Sequence, residues 1–221
     1  MSGVLSAFIL ACVVIAGSAN ALPPRKTLAV HLIHRCSPGI ACVRIQAIDQ
    51  MVRETQQIWS SLDVRIVWND SPGRSLAGAD GGLIVFLEER GAPPPQQVHV
   101  LASLDQPLDP CGPALAHVWT RNIRDFIATV AVGGKKIENL PNALADFILG
   151  RALGRALAHE IAHYLLGTGQ HASHGLLRST FEPHELLEAV GDTRYGLSAS
   201  DRQSLLTCRM DQARRSTDSQ P

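Results

Sequence analysis

Two histidines and a glutamate in the second half of the chain have the spacing of a metal site. His159 and His163 lie four residues apart within residues 157–178, which read LAHEIAHYLLGTGQHASHGLLR. On a helix, four residues advance about 6 Å and return to the same face, so both imidazoles project together. Two such nitrogens can reach one zinc ion at about 2.0–2.1 Å. Glu160 could then accept a proton from an activated water and pass it to a leaving amine.

An ordinary solvated helix face is the alternative interpretation of these three residues. The flanking residues in ALAHEIAHYLL are apolar, however, so this face is a poor candidate for full exposure. Histidines that are partly buried need polar partners. The pattern therefore favours metal binding, with one zinc ion per chain.

A catalytic zinc site uses three protein ligands and keeps one position open. We expect the third ligand to be His171, because Gly167 and Gly169 let the backbone turn off the helix before it. Other possibilities are His174, a carboxylate from Glu182, Glu185 or Glu188, or no third protein ligand.

The segment HEIAHYLLGTGQH resembles the zinc signature of the metzincin metallopeptidases, H-E-x-x-H-x-x-G-x-x-H. Gly167 falls one position later than the family's glycine, and His171 falls two positions later than its third histidine. The family's methionine turn has no methionine here; Leu176 or Leu177 could form its apolar floor, or could be ordinary core residues. The chain thus looks like a divergent, compact, secreted member.

The resemblance implies a zinc endopeptidase with a cleft between a larger upper lobe and a smaller lower lobe. Zinc would polarise the scissile carbonyl, and Glu160 would act first as general base and then as general acid. A peptide or protein substrate would bind in extended form along a sheet edge, for which residues 114–120 are our candidate. His117 in that segment is expected on a cleft wall or the surface, and not as a ligand.

Two other functional classes remain open. The first is a secreted domain that binds zinc for stability or partner binding without catalysis. The second is a disulfide-linked binding domain in which the motif is accidental. Glu160 discriminates between the zinc alternatives, because a structural site needs the histidines but not the acid.

The elements around the motif predict an α+β fold with α/β layering. Residues 27–34 and 64–68 read as strands, and a helix over residues 43–62 between them has apolar residues at helical spacing, namely Ile45, Ile48, Val52, Ile58 and Trp59. Further strands are predicted at residues 83–87, 98–103, 114–120 and 126–132. We expect a mixed twisted sheet with a backing helix, an active-site helix and a small C-terminal helical lobe.

The active-site helix is predicted over residues 140–167, with Pro141 near its start and Gly167 as its stop. A last helix over residues 197–208 opens on Ser198 and Asp201, a pair similar to a capping box. Residues 22–213 would form one catalytic domain, with an upper lobe over about 27–167 and a lower lobe over about 168–213. Residues 214–221 are expected to be a flexible tail.

The N-terminal residues are typical of a signal peptide over 1–21. Residues 4–17 are apolar but short for a bilayer span, and Ala19 and Ala21 form a small-x-small cleavage pattern. We therefore expect a secreted or periplasmic protein without stable membrane association. An uncleaved anchor, or a lipoprotein signal at Cys12, is the alternative.

Cysteine usage agrees with export. Removal of Cys12 leaves four cysteines, Cys36, Cys42, Cys111 and Cys208. Cys36 and Cys42 flank a Pro-Gly turn, which favours a local disulfide and leaves Cys111 with Cys208. Four unpaired thiols are the alternative.

The composition argues against nucleic acid as a partner. Lys plus Arg and Asp plus Glu are balanced at 20 each, and only 5% of the residues are aromatic. A neutral chain lacks the basic surface that attracts phosphate backbones or anionic membranes, and few aromatics are available for base stacking.

Overall fold

A five-stranded mixed sheet forms one layer of the computed structural model, which describes residues 26–36, 42–69, 82–90, 100–105, 113–188 and 195–205. Its strands are β1 (Lys26–Arg35), β2 (Val64–Asn69), β3 (Gly82–Glu88), β4 (Ala102–Asp105) and β5 (Ala114–Trp119). Their order is β2-β1-β3-β5-β4, with β4 antiparallel to β5 and the other pairs parallel. The predicted mixed sheet and α+β class are confirmed.

One face of the sheet carries the core. Leu83, Val85 and Leu87 of β3 are fully buried, while the alternate residues face the other side. Two long helices, α1 (Ile45–Ser60) and α3 (Asn142–Leu166), complete the helical layer and pack closely on each other.

Two glycines of α3 allow that close approach. A Cβ at Gly150 would lie 2.4 Å from the carbonyl oxygen of Ala47, and one at Gly154 would lie 2.7 Å from the Cβ of Glu54. Such distances are too short for any larger side chain unless the helices move apart. The position of α3, and hence of the histidines near its end, therefore depends on these two residues.

The prediction for α1 is right about the helix and partly wrong about its buried face. Ile58 and Trp59 are in the core, but Ile45 at the first position is 62% exposed. The buried face includes Glu54, whose carboxylate accepts a hydrogen bond of 2.7 Å from the buried Arg155 of α3. An ion pair between helices thus replaces part of the expected apolar contact.

The strand predicted over residues 126–132 is wrong for most of its length. Phe126 and Ile127 end a helix, α2 (Thr120–Ile127), in which Ile123 and Ile127 bury one face at helical spacing. Only β6 (Ala131–Val132) is extended, and it pairs with β7 (Lys135–Lys136). Core packing at positions i and i+4 outweighs the strand propensity of these residues. A 3-10 turn over Ile137–Asn139 then leads to α3.

The remaining predictions fall partly outside the described residues. The β4 strand begins later than expected, at Ala102, and residues 98 and 99 are not described. The last helix starts at 199, where the Asp201 amide donates to Ser198 Oγ at 3.1 Å, but residues 206–208 are not described. Within the described ranges, no helix is both long and apolar enough to span a bilayer.

The predicted Cys36–Cys42 disulfide is confirmed, with the two Cα atoms 5.6 Å apart. Cys111, Cys208, the proposed signal peptide over 1–21 and the tail over 214–221 lie outside the described residues. The division into an upper and a lower lobe stays a prediction.

Candidate metal centre

The end of α3 brings the first two histidines together and turns the chain back beneath them. Gly167 adopts a left-handed conformation, with φ 60° and ψ 33°, and ends the helix as predicted. The Thr168 amide donates to the carbonyl of His163 at 3.2 Å, closing a Schellman-type cap. The reversed chain then places the Thr168 carbonyl beside the His163 ring.

Backbone carbonyls orient both imidazoles. The Nδ1 atom of His159 lies 2.7 Å from the carbonyl oxygen of Leu176, and that of His163 lies 2.7 Å from the carbonyl oxygen of Thr168. Because a carbonyl only accepts hydrogen bonds, each Nδ1 must carry the proton, which leaves each Nε2 with a free lone pair. Histidine ligands of metals are held by contacts of this kind.

The two free nitrogens face each other. His159 Nε2 and His163 Nε2 are 2.9 Å apart. Two lone pairs at this separation repel unless a cation lies between them. Tetrahedral zinc would hold two such nitrogens roughly 3.3 Å apart, so a shift of a few tenths of an ångström would fit them to the ion.

His171 joins this pair. One nitrogen from each of His159, His163 and His171 lies within 4.8 Å of the others, and His171 is exposed on the loop after the helix. Its ring centroid is 5.3 Å from that of His159 and 4.9 Å from that of His163. Three histidines are therefore close enough to bind a metal ion, and they include the third residue that we favoured.

The alternative third ligands lie elsewhere. His174 is exposed and its Nδ1 is 3.0 Å from Ser173 Oγ. Glu185 pairs with Arg178 through two contacts of 2.9 and 2.6 Å. Neither these residues nor Glu182 and Glu188 belong to the group of potential ligands found in the described part of the chain.

Glu160 is buried beside the three histidines without a compensating charge. It is 6% exposed, and burial alone raises its pKa from 4.5 to about 8. Among the described residues, its carboxylate has no hydrogen bond or ion pair. An ionised carboxylate here needs a nearby cation, which a metal ion on the histidines would provide.

Burial also favours the neutral form of His159 and His163, the form in which an imidazole binds a metal. It lowers the pKa of His159 to about 4, against the opposing effect of the Leu176 carbonyl and together with repulsion from the other two histidines. The pKa of His163 is likewise lowered by burial. Burial thus disfavours protonation of His159 and His163 and leaves their nitrogens available to a metal ion.

A tight turn over residues 172–178 contacts His159 through its backbone. Leu176 and Leu177 are buried, and the Ala172 amide donates to the Leu177 carbonyl at 2.9 Å. The Leu176 amide donates to the carbonyl of Gly196 at 2.9 Å, while its own carbonyl orients His159. Leu176 is therefore a core residue, and its carbonyl also orients the imidazole of His159.

The histidines and Glu160 open into a cleft of about 520 Å³. The cleft is lined by the segment 100–104, which includes the start of β4, and by residues 178–181 and Leu186. Since β4 pairs with β5 on one side and ends the sheet, its other edge is open within the described strands. The cleft thus runs along a sheet edge.

The prediction that residues 114–120 form this edge is wrong. They form β5, which lies between β3 and β4, because the short β4 occupies the outer position. His117 stacks between Phe86 and Trp119, with centroid distances of 5.2 Å to each, and does not line the cleft. It is half-buried on the face of the sheet opposite the core, so it does not form the expected cleft wall.

An aromatic and charged wall was not indicated by the sequence. Phe181 packs edge-on against His159 at 5.9 Å and stacks on Tyr195. The Arg178 guanidinium lies 4.2 Å from the Phe181 ring centroid. The Tyr195 hydroxyl donates to the carbonyl of Glu185 at 2.7 Å. These contacts join residues without a shared local pattern.

Comparison with models of protein families, with curated proteins and with solved structures finds no match for this chain. The geometry of the site therefore carries the functional assignment.

Proposed function

We propose that the protein is an exported zinc-dependent endopeptidase of metzincin-like organisation, with Glu160 as general base and acid. The observation that carries this proposal is a buried carboxyl group without a partner, next to three clustered imidazoles, in a cleft along a sheet edge. A purely structural metal site needs no such carboxyl group, and burying one destabilises the fold.

The donor set supports zinc. Three imidazole nitrogens from His159, His163 and His171 suit this ion, and with three protein ligands one position stays open to the cleft. When bound, zinc would supply a Lewis acid that polarises a peptide carbonyl and lowers the pKa of water.

Glu160 is the proton carrier in this proposal. Its carboxylate would accept a proton from the attacking water and donate it to the leaving amine, which needs a group that changes protonation near neutral pH. Burial alone raises the pKa of Glu160 to about 8, which favours the protonated carboxyl group. A nearby cation favours the ionised carboxylate and so promotes release of the proton. A general base of this kind contributes roughly 10²- to 10⁴-fold in rate.

The open edge of β4 indicates how a substrate would bind. An extended peptide could pair with residues 102–104 through backbone hydrogen bonds, with its scissile bond over the histidines. Leu101, Leu104, Phe126 and Leu186 line the same cleft and favour apolar substrate side chains. The preferred substrates are therefore unfolded segments with apolar residues.

Export is the other half of the proposal. The described chain contains a disulfide between two exposed cysteines, Cys36 and Cys42. Such bonds persist in oxidising compartments, which supports a secreted or periplasmic location.

Metal analysis and peptide digestion on a Glu160→Gln variant test this function. The wild-type protein should carry one zinc ion and cleave an unstructured peptide library, whereas the variant should carry the same zinc and lose cleavage. Glu182→Gln, which changes an exposed glutamate nearby, is the matched control and should behave as wild type. Equal cleavage by wild type and Glu160→Gln would exclude the proposed peptidase activity with Glu160 as general base. Zinc binding without cleavage in the wild type would favour a non-catalytic zinc domain.

A further inference from the structure

The Cys36–Cys42 disulfide lies beside a second histidine–glutamate pair, His34 and Glu89. Neither residue lines the cleft that contains the three histidines. The Cys36 sulfur is 3.6 Å from Nε2 and 3.9 Å from Nδ1 of His34. The same Nε2 lies 2.8 Å from Glu89 Oε1. The sulfur, imidazole and carboxylate thus form a continuous chain of contacts.

Glu89 is held so that it remains ionised and orients His34. Its side chain is fully buried, and although burial raises the pKa of the carboxyl, hydrogen bonds from His34, Val43 and Thr120 and the charge of Arg124 lower it overall. The His34 Nε2 that contacts the Glu89 carboxylate donates its N–H there, and the same nitrogen lies 3.6 Å from the Cys36 sulfur. An imidazole N–H beside a sulfur can stabilise, by hydrogen bonding, a thiolate that forms on that sulfur.

The two sulfurs of the bond have different surroundings. Cys42 lines a second cleft of about 630 Å³, which lies between the starts of α1 and α3 and is also bordered by Arg44 and Arg124. Cys36 is not among the residues that line it. Cys42 thus borders this cleft, whereas the Cys36 sulfur contacts His34.

We propose that the Cys36–Cys42 bond is a thiol–disulfide exchange site for a dithiol reductant, with Cys42 as the attacked sulfur and Cys36 as the leaving thiolate. One thiolate of the dithiol bonds to Cys42 Sγ, and the electron pair of the Cys36–Cys42 bond leaves on Cys36 beside the His34 imidazole. The second thiol of the reductant then attacks the reductant's own sulfur in the mixed disulfide and releases Cys42. The dithiol is oxidised to a disulfide, two electrons reduce the protein, and the dithiol's two protons end on the two cysteines.

The assigned roles of the two sulfurs depend on which of them leaves as the more stable thiolate. Exchange is faster when the departing thiolate is stabilised, and the imidazole N–H of His34 beside the Cys36 sulfur provides such stabilisation. Both cysteines are exposed, so the reductant can reach them. None of Cys36, Cys42, His34 and Glu89 lines the histidine cleft, so the exchange site is independent of the proposed metal chemistry.

Reduction of the full-length protein by dithiothreitol, followed by alkylation and peptide mapping by mass spectrometry, tests this site. His34→Gln should slow the reduction of the Cys36–Cys42 bond on the order of tenfold, because the leaving thiolate loses the neighbouring imidazole. The matched control, His174→Gln, changes an exposed histidine outside the site and should leave the rate unchanged. Equal rates in wild type and His34→Gln would overturn the proposal.

A second measurement uses only the wild-type protein and decides the matter if His34→Gln fails to fold. A monothiol, 2-mercaptoethanol, should form its mixed disulfide on Cys42 and leave Cys36 open to alkylation. An adduct that accumulates on Cys36, or equally on both cysteines, would contradict the assigned roles.

Discussion

Replacing Glu160 with glutamine should stabilise the metal-free protein, and increasingly so as the pH rises. Burial raises the pKa of Glu160 from 4.5 to about 8 in the folded chain. A folded-state pKa above the unfolded value means that the contribution of this group is most favourable below pH 4.5 and is lost as the pH rises to about 8. Glutamine has nearly the same shape and stays neutral, so it avoids this loss.

The structure sets the size of the effect. Each pH unit between the two pKa values corresponds to about 1.4 kcal/mol in the free energy of unfolding. The ionised carboxylate therefore destabilises the metal-free fold by about 2 kcal/mol at pH 6 and by at most about 5 kcal/mol above pH 8. Because Glu160 is 6% exposed, little solvent screening reduces these values.

Urea denaturation of the chelator-treated proteins at pH 5 and pH 9 measures this difference. The gain from Glu160→Gln should be small at pH 5 and several-fold larger at pH 9, and added zinc should reduce it because the cation stabilises the carboxylate. Glu182→Gln should show no such trend, since that residue is exposed. A gain that is absent, or that stays the same at both pH values, would refute the view of Glu160 as a buried carboxyl without a partner.

Three further predictions concern the histidines and their support. His171→Ala should abolish zinc binding measured by competition with a chromogenic chelator, whereas His174→Ala should keep it; the reverse result would assign the third ligand to His174. Gly167→Ala places a side chain at φ 60° and should lower the free energy of unfolding by about 1 kcal/mol. It should also weaken zinc binding roughly tenfold or more by moving the carbonyl that orients His163; unchanged affinity would exclude that role. Since the pKa of His159 is lowered to about 4, the metal-free protein should lose stability as the pH falls from 6.5, by up to about 3 kcal/mol at pH 4. Urea denaturation of His159→Gln should show a smaller loss of stability over the same pH range. A loss equal to that of the wild type would contradict the lowered pKa of His159.

The parts of the site that follow from local periodicity could be predicted from the sequence. Helix α3 combines Pro141 at its start with Gly167 at its end, and the spacing of His159 and His163 follows from helix geometry alone. These predictions succeed because every interaction that they depend on lies within a few residues.

The parts that depend on distant contacts could not be predicted. The sheet order places β4 outside β5, although nothing in the four residues of β4 indicates an edge position. Leu176 carries a carbonyl that reaches His159 across 17 positions, and a backbone group leaves no mark in its own residue type. The ion pair of Glu54 with Arg155 spans 101 positions and replaces apolar contacts that the pattern of α1 predicted.

The close packing of α1 on α3 links these distant contacts to the metal site. Arg155 is one turn before His159, and its guanidinium also donates to the Tyr195 hydroxyl and to the carbonyls of Glu185 and Glu188. One buried side chain of α3 thus connects α1 with Glu185, Glu188 and Tyr195. Folding buries the carboxyl group of Glu160 next to the clustered imidazoles. Burial of these polar groups costs free energy when no cation is bound. Metal binding and the stability of the cleft should therefore be coupled, with the ion recovering the free energy that burial of Glu160 takes away.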